Sequence, residues 1–257
     1  MSEAAADRAS KRENVVTMAK QVMAGDVRTV ARVITWLENQ VPVGSAVLKL
    51  LRSPVQRAMV IGITGYPGSG KSTLIDQLIT AYRRLGNTVG VLAVDISSPL
   101  TGGAVLGDRI RMQHHADDPG VYIRSMGTRG QQGGLARATR DALQVLEAAA
   151  YDVILIETIG VGQNEIDIVA VAHTVVALTT PGLGDDIQAM KAGLVEVADI
   201  LVVNQGDRDG ADSALRHLRE WHTPVLRTVA VKGEGVPELI AAIAERQRVH
   251  DLVQVSR

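Results

Sequence analysis

The chain predicts an α/β fold, a mostly parallel sheet with helices on both faces, preceded by a short N-terminal helical extension. Three observations predict it. From Ala58 onward, short apolar runs alternate with amphipathic stretches, as strands alternating with helices do. The runs are continuous rather than period-two, which suits strands covered on both faces. The hydrophobic content is 46% with only 2% aromatics and no Phe, so branched aliphatics and Ala must fill the core.

The elements follow in order. Through about Pro54 the chain reads as helical. Val30, Val33, Ile34 and Leu37 share one helical face, Pro42 and Gly44 interrupt the pattern, and Ala46 to Leu51 resumes it. Apolar runs over Met59 to Thr64, Val89 to Val94, Val121 to Ser125, Val153 to Ile156, Val175 to Leu178, Ile200 to Val203 and Val225 to Ala230 are the expected strands. Lys71 to Leu85, Leu135 to Ala149, Ala211 to Trp221 and Pro237 to Val249 are the expected helices. The expected boundaries are a helical extension over 1–57, a main domain over 58–250 and a tail over 251–257.

Bulk properties exclude several classes. A formal net charge of -1 gives no general attraction to nucleic acid or to an anionic membrane surface. The absence of Cys excludes disulfides, thiolate metal sites and a catalytic thiol. No apolar run reaches the length of a membrane span, and the first twenty residues lack a signal-peptide core. The expectation is a soluble cytoplasmic protein.

Gly65-Tyr66-Pro67-Gly68-Ser69-Gly70-Lys71-Ser72 matches G-x-x-x-x-G-K-[ST] between an expected strand and an expected helix. That context makes the segment a phosphate-binding P-loop. The glycines let backbone N–H groups turn inward, and the helix start adds its positive dipole end. Lys71 brings a mobile cation to the outer phosphates, and Ser72, followed by Thr73, brings a hydroxyl to magnesium.

Such a site needs a carboxylate at a strand end. Glu157 closes the run Asp152 to Ile156, and Glu157-Thr158-Ile159-Gly160 gives Glu-x-x-Gly, similar to the second switch of GTPases. The Gly160 N–H would meet the γ-phosphate. Asp95 ends another strand at the same sheet edge, where ligands of open α/β sheets bind. Asp95 and Asp108 flank a Gly-rich segment. Asn204-Gln205-Gly206-Asp207 is similar to the guanine-reading Asn-Lys-x-Asp. A carboxylate there accepts from the guanine N1–H and 2-amino group, a donor pair adenine lacks. The residues are equally those of an ordinary strand-to-loop turn. Ala230 and Val231 stand where a last base-contacting loop is expected. The bound groups implied are GTP or GDP and Mg2+.

Longer blocks carry a specific resemblance. They are Gly62 to Thr73, Leu92 to Ser98, Gly102 to Met112, Glu157 to Glu165 and Pro181 to Lys191. Over about residues 28 to 245 the chain resembles the MeaB, MMAA and ArgK group of SIMIBI-class P-loop GTPases. These are chaperones of adenosylcobalamin-dependent acyl-CoA mutases, such as methylmalonyl-CoA mutase. The resemblance implies that Asp95, Asp108 and Glu157 join Ser72 around magnesium. It places Asp108 to Met112 in a first switch, Gly160 to Glu165 in a second, and Asp185, Gln188 and Lys191 in a third that answers the mutase. Arg111 becomes a candidate charge-stabilising residue. The chain departs from the family at Gln205, which stands for Lys, and at Ile96, which stands for Pro. Little sequence follows Val249 to supply the C-terminal arm on which many members dimerise, so a homodimer stays an open alternative.

The function expected is a GTPase that gates cofactor loading into a mutase and protects it. The alternatives are a metal-insertion GTPase of the same class and an ATP-dependent kinase. The absence of Cys and the adjacent pair His114-His115, which suits a solvated loop better than a chelate, weigh against the first. Asp207 weighs against the second.

Overall fold

The structure, a computed structural model, describes residues 3–52, 58–95, 112–127, 137–158, 166–182, 194–221 and 224–255. They fall into two compact units. One lies within Met1–Ala58 and Arg137–Asp152, the other within Met59–Ala136 and Val153–Arg257.

The first unit is helical. It holds α1 (Glu3–Met23), α2 (Val27–Glu38), α3 (Pro42–Leu48) and α5 (Arg137–Ala148). Asp26 caps α2: its side chain accepts from the Thr29 N–H at 2.7 Å, and the Thr29 side chain, then this N–H, hold the carboxyl below its ordinary range. The buried face of α2 is Thr29, Val30, Val33, Ile34 and Leu37, the periodic set read from sequence. Helix α3 starts earlier than the apolar pattern suggests. Pro42 occupies its first turn, where no intrahelical N–H is needed. Gly44 lets α3 approach α2, since a Cβ there would lie 2.9 Å from the Trp36 Cβ. Helix α5 packs with α1, α2 and α3, although the chain reaches it from within the span 58–250.

The second unit carries one seven-stranded sheet, order β3-β2-β4-β1-β5-β6-β7. Its strands are β1 (Met59–Gly65), β2 (Val89–Asp95), β3 (Val121–Gly127), β4 (Val153–Glu157), β5 (Thr174–Thr179), β6 (Ile200–Val203) and β7 (Val225–Arg227). Every pairing in it is parallel. Helices α4 (Lys71–Arg84) and α9 (Val236–Val255) cover one face, through a core of Ile61, Ile63, Leu74, Leu78, Leu155, Val176, Leu239 and Ile243. On the other face α8 (Ala211–Arg219) packs Ala214, Leu215 and Leu218 against Leu201, Val203 and Val225. Each such leucine contributes about 2–3 kcal/mol of apolar burial. Residue 62 faces the short α6 (Ile166–Val169), where a Cβ would lie 2.5 Å from Ile168. Neither α6 nor α7 (Leu194–Val197) has a counterpart in the sequence pattern, because each is a single turn. The last apolar run splits: β7 ends at Arg227, and Ala230–Lys232 is a 3-10 turn.

Arg83 near the end of α4 ties the loop before β3. It donates from Nε and Nη2 to Asp118 at 2.9 Å each and from Nη1 to the Asn87 carbonyl. The guanidinium holds the Asp118 carboxyl below its usual range. A lowered carboxylate contributes stability above its ordinary pKa and loses it as pH falls through the folded value. Arg83→Ala should therefore cost about 1 kcal/mol near neutrality, as partly exposed bidentate pairs do. The gap between variant and parent should narrow below about pH 4. Urea unfolding at two pH values reads both, and a gap independent of pH would deny the pair its role.

Candidate functional site: the phosphate loop and the carboxyl edge of the sheet

The register brings the site residues to one sheet edge. Glu157 pairs with Ile63 of β1 and Ala93 of β2, so Asp95 ends β2 just past it. Gly65 ends β1 opposite Leu178, and β6 runs into Asn204 beside Thr179.

The phosphate loop is shaped by positive φ values of 136° at Gly65, 80° at Gly68 and 89° at Gly70. At Gly65 a Cβ would lie 2.3 Å from the Leu178 carbonyl oxygen, so only glycine fits. Gly70 is the cap residue from which α4 starts. Pro67 and Gly68 form the exposed tip of the turn, Ser69 is buried, and Thr73 is half-buried on α4. Lys71 is buried, and its Nζ donates to the Gly65 carbonyl at 2.8 Å and the Tyr66 carbonyl at 3.1 Å. The ammonium thus arches across the loop from the first turn of the helix.

Ser72 Oγ donates to Glu157 Oε1 at 2.9 Å, both side chains being buried. This is a hydroxyl and a carboxylate, two hard oxygen donors of the kind Mg2+ takes. The following residue locks the strand end: the Thr158 N–H donates to the Ile63 carbonyl at 3.0 Å and its hydroxyl to Thr64 Oγ1 at 2.9 Å.

Asn204 joins the phosphate loop to the far side of the site. Its Nδ2 donates to the Ser69 carbonyl at 2.8 Å. Its Oδ1 accepts from Thr228 Oγ1 and from the Ala230 N–H, each at 3.0 Å. Ala230 therefore anchors the turn on which Val231 stands exposed. Gln205, at φ 55°, reaches back with Nε2 to the Gly68 carbonyl at 3.3 Å. An amide there keeps a hydrogen bond to the loop that an ammonium could make, without the charge. Asp207 Oδ2 meets Lys232 Nζ at 3.0 Å, an exposed pair.

The structure thus assembles Gly65, Pro67, Gly68, Ser69, Gly70, Lys71, Ser72, Thr73, Glu157, Asn204, Gln205, Asp207, Ala230 and Val231 around one edge. Asp95 lies there by its backbone. Asp108, Arg111, Gly160, Asp185, Gln188 and Lys191 lie outside the described residues. Sequence reading missed Thr228, and it placed Lys232 in the last loop without its partner Asp207. The partners are 24 and 25 residues away, and no local pattern announces the pairings.

The chain matches, over residues 30–254, the family described as "Methylmalonyl Co-A mutase-associated GTPase MeaB". It belongs to the MeaB family of GTPases. A Pyrococcus horikoshii protein is 50% identical over 242 residues, spanning 89% of this chain and 76% of its own. GTPase ArgK of Escherichia coli K12 is 35% identical over 253 residues, spanning 90% and 76%. Among solved structures, one described as an LAO/AO transport system kinase is 28% identical with a TM-score of 0.71, covering 92% of this chain and 76% of that one. The reaction of this MeaB-family chain is hydrolysis of GTP at the P-loop.

In this GTPase the Lys232 hydrogen bond holds the Asp207 carboxyl below its ordinary range, and Asp207 in turn raises the lysine. Lys232→Ala should move the Asp207 titration up toward the free carboxylate value of about 3.9. An NMR pH titration of the Asp207 side chain reads it, and an unmoved midpoint would show that the pair does not form in solution.

Proposed function

We propose that this GTPase is a mutase chaperone that gates cofactor loading into an adenosylcobalamin-dependent acyl-CoA mutase, methylmalonyl-CoA mutase or a relative, and protects it. The observation that carries the reading is the match over residues 30–254 to a family described by its association with that mutase. No helix among the described residues is long and apolar enough to cross a membrane.

In this reading Lys71 leaves the Gly65 and Tyr66 carbonyls for the outer phosphates of GTP. Ser72 and Glu157, with Asp95 and Asp108, would hold Mg2+, which would supply charge neutralisation at the phosphates when bound. The Gly160 N–H meets the γ-phosphate. The Asp207 carboxylate accepts from the guanine N1–H and 2-amino group, while Asn204, Gln205, Ala230 and Val231 shape the wall behind the base. Asp185, Gln188 and Lys191, with Arg111, complete the charge-stabilising set only when the mutase is bound. Intrinsic turnover is therefore slow, and the partner raises it.

The test is GTP hydrolysis, with ATP as control, by the chain alone and with candidate mutases. One mutase should accelerate GTP turnover while ATP stays inert. Turnover unchanged by every mutase would remove the chaperone role and leave the GTPase. Preferential ATP turnover would overturn the role given to Asp207. A Lys71→Ala chain that still drives GTP-dependent cofactor loading would also sink the reading.

A further inference from the structure

Away from the nucleotide edge, three metal-ligating side chains converge. Asp76 lies on α4, one helical turn after Ser72. His114 and His115 form a 3-10 turn, Gln113–His115, that follows the buried Met112. The expectation of a solvated histidine pair holds only for His114. His115 is buried, and both Nε2 atoms lie 3.1 Å from the same oxygen, Asp76 Oδ1. All three ligand atoms lie within 4.8 Å of one another, and the two rings sit 4.0 Å apart at 41°.

We propose that Asp76, His114 and His115 form a binding site for a first-row divalent transition metal of the Zn2+, Co2+ or Ni2+ class. The convergence is the argument. Two neutral imidazoles satisfied by hydrogen bonds alone have both carboxylate oxygens to share. Here both ring nitrogens aim at one. Donors about 2.0–2.2 Å from a common ion at angles of 90–110° stand roughly 3.0–3.5 Å apart. The two 3.1 Å separations to Asp76 Oδ1 fit that shell, and the ring nitrogens, within 4.8 Å of each other, would draw together around the ion, a movement the exposed His114 can supply. Two imidazoles and one carboxylate select borderline metals over Mg2+ and Ca2+, which take oxygen shells. Of the two acids that follow, Asp117 is exposed and Asp118 is committed to Arg83. His114 is exposed and Asp76 partly so, which leaves outer positions for water or a fourth donor.

The site has a consequence for the fold. An ion held here would fasten the turn at His114 and His115 to α4, the helix that presents Lys71 and Ser72. The same turn closes the sequence block Gly102 to Met112 that resembles a first switch. Metal occupancy and nucleotide occupancy would then bear on one helix.

The test uses the untagged full chain with GDP and excess Mg2+ present, so that hard-oxygen positions at the phosphate loop are filled. Co2+ titration should give one equivalent bound with visible d–d bands, displaced by Zn2+. His114→Ala, at an exposed position, and Asp76→Asn should each weaken that binding by about tenfold or more. Zn2+ should raise the melting temperature of the parent chain and not of His114→Ala. A parent chain that shows no bands would overturn the site. Variants that bind Co2+ as the parent does would overturn it equally.

Discussion

Replacing Lys71 with alanine is expected to lower GTP turnover by roughly 10²–10³-fold, the scale of losing one preorganised charge-stabilising group. The side chain is buried at the start of α4, with its ammonium 2.8 Å from the Gly65 carbonyl. No other lysine or arginine is described within the loop Gly65 to Ser72. Within the loop, charge that develops on the γ-phosphate and its leaving oxygen would then face backbone N–H groups and the helix end. Those bind phosphate in ground and transition state alike, so turnover should fall more than nucleotide affinity. Arginine should not rescue. Its planar fork cannot take the place of a point charge arching over two carbonyls. Single-turnover hydrolysis with GDP and GTP binding in parallel separates the effects. A variant keeping a tenth of parental turnover would show that Lys71 is not the group that stabilises the transferred phosphate.

The phosphate loop could be read from sequence because its chemistry is local. Eight consecutive residues supply the turn, the cation and the hydroxyl, and the glycines at 65 and 70 sit where positive φ is required. The sheet was equally legible. Burial on both faces leaves strands such as Val153 to Ile156 uniformly apolar, and the structure finds every residue of β4 buried. What the sequence withheld is non-local. The apolar face of Arg137–Ala148 says that the helix is buried, but not that it packs with α2 and α3. Ser72 and Glu157 meet across 85 positions, and His115 meets Asp76 across 39. An adjacent histidine pair has no periodicity to show which ring turns inward. Asn204 was legible as a base-reading pattern, yet its visible bonds go to protein. The Asn-x-x-Asp spacing holds two different positions, one a buried clamp and one exposed and paired with Lys232.

That division makes the second large effect separable from base recognition. Asn204→Ala removes three buried hydrogen bonds and leaves the Ser69 carbonyl, the Thr228 hydroxyl and the Ala230 N–H without this partner. At about 1 kcal/mol for each stranded group, the cost is about 3 kcal/mol. For a chain of this size that is a fall of roughly 6–12 °C in melting temperature. Nucleotide affinity should fall with it, because the clamp sets the distance between the phosphate loop and the Ala230–Lys232 turn. Asp207→Ala is the matched control. Its carboxylate is exposed and bonded to Lys232, so its loss should leave the melting temperature nearly unchanged while selectivity for GTP over ATP declines. Asn204→Asp keeps the acceptor for Thr228 and Ala230 but points a carboxylate at the Ser69 carbonyl, so it should rescue little. If Asn204→Ala melts with the parent chain while Asp207→Ala melts early, the anchoring role belongs to the ion pair and not to the amide.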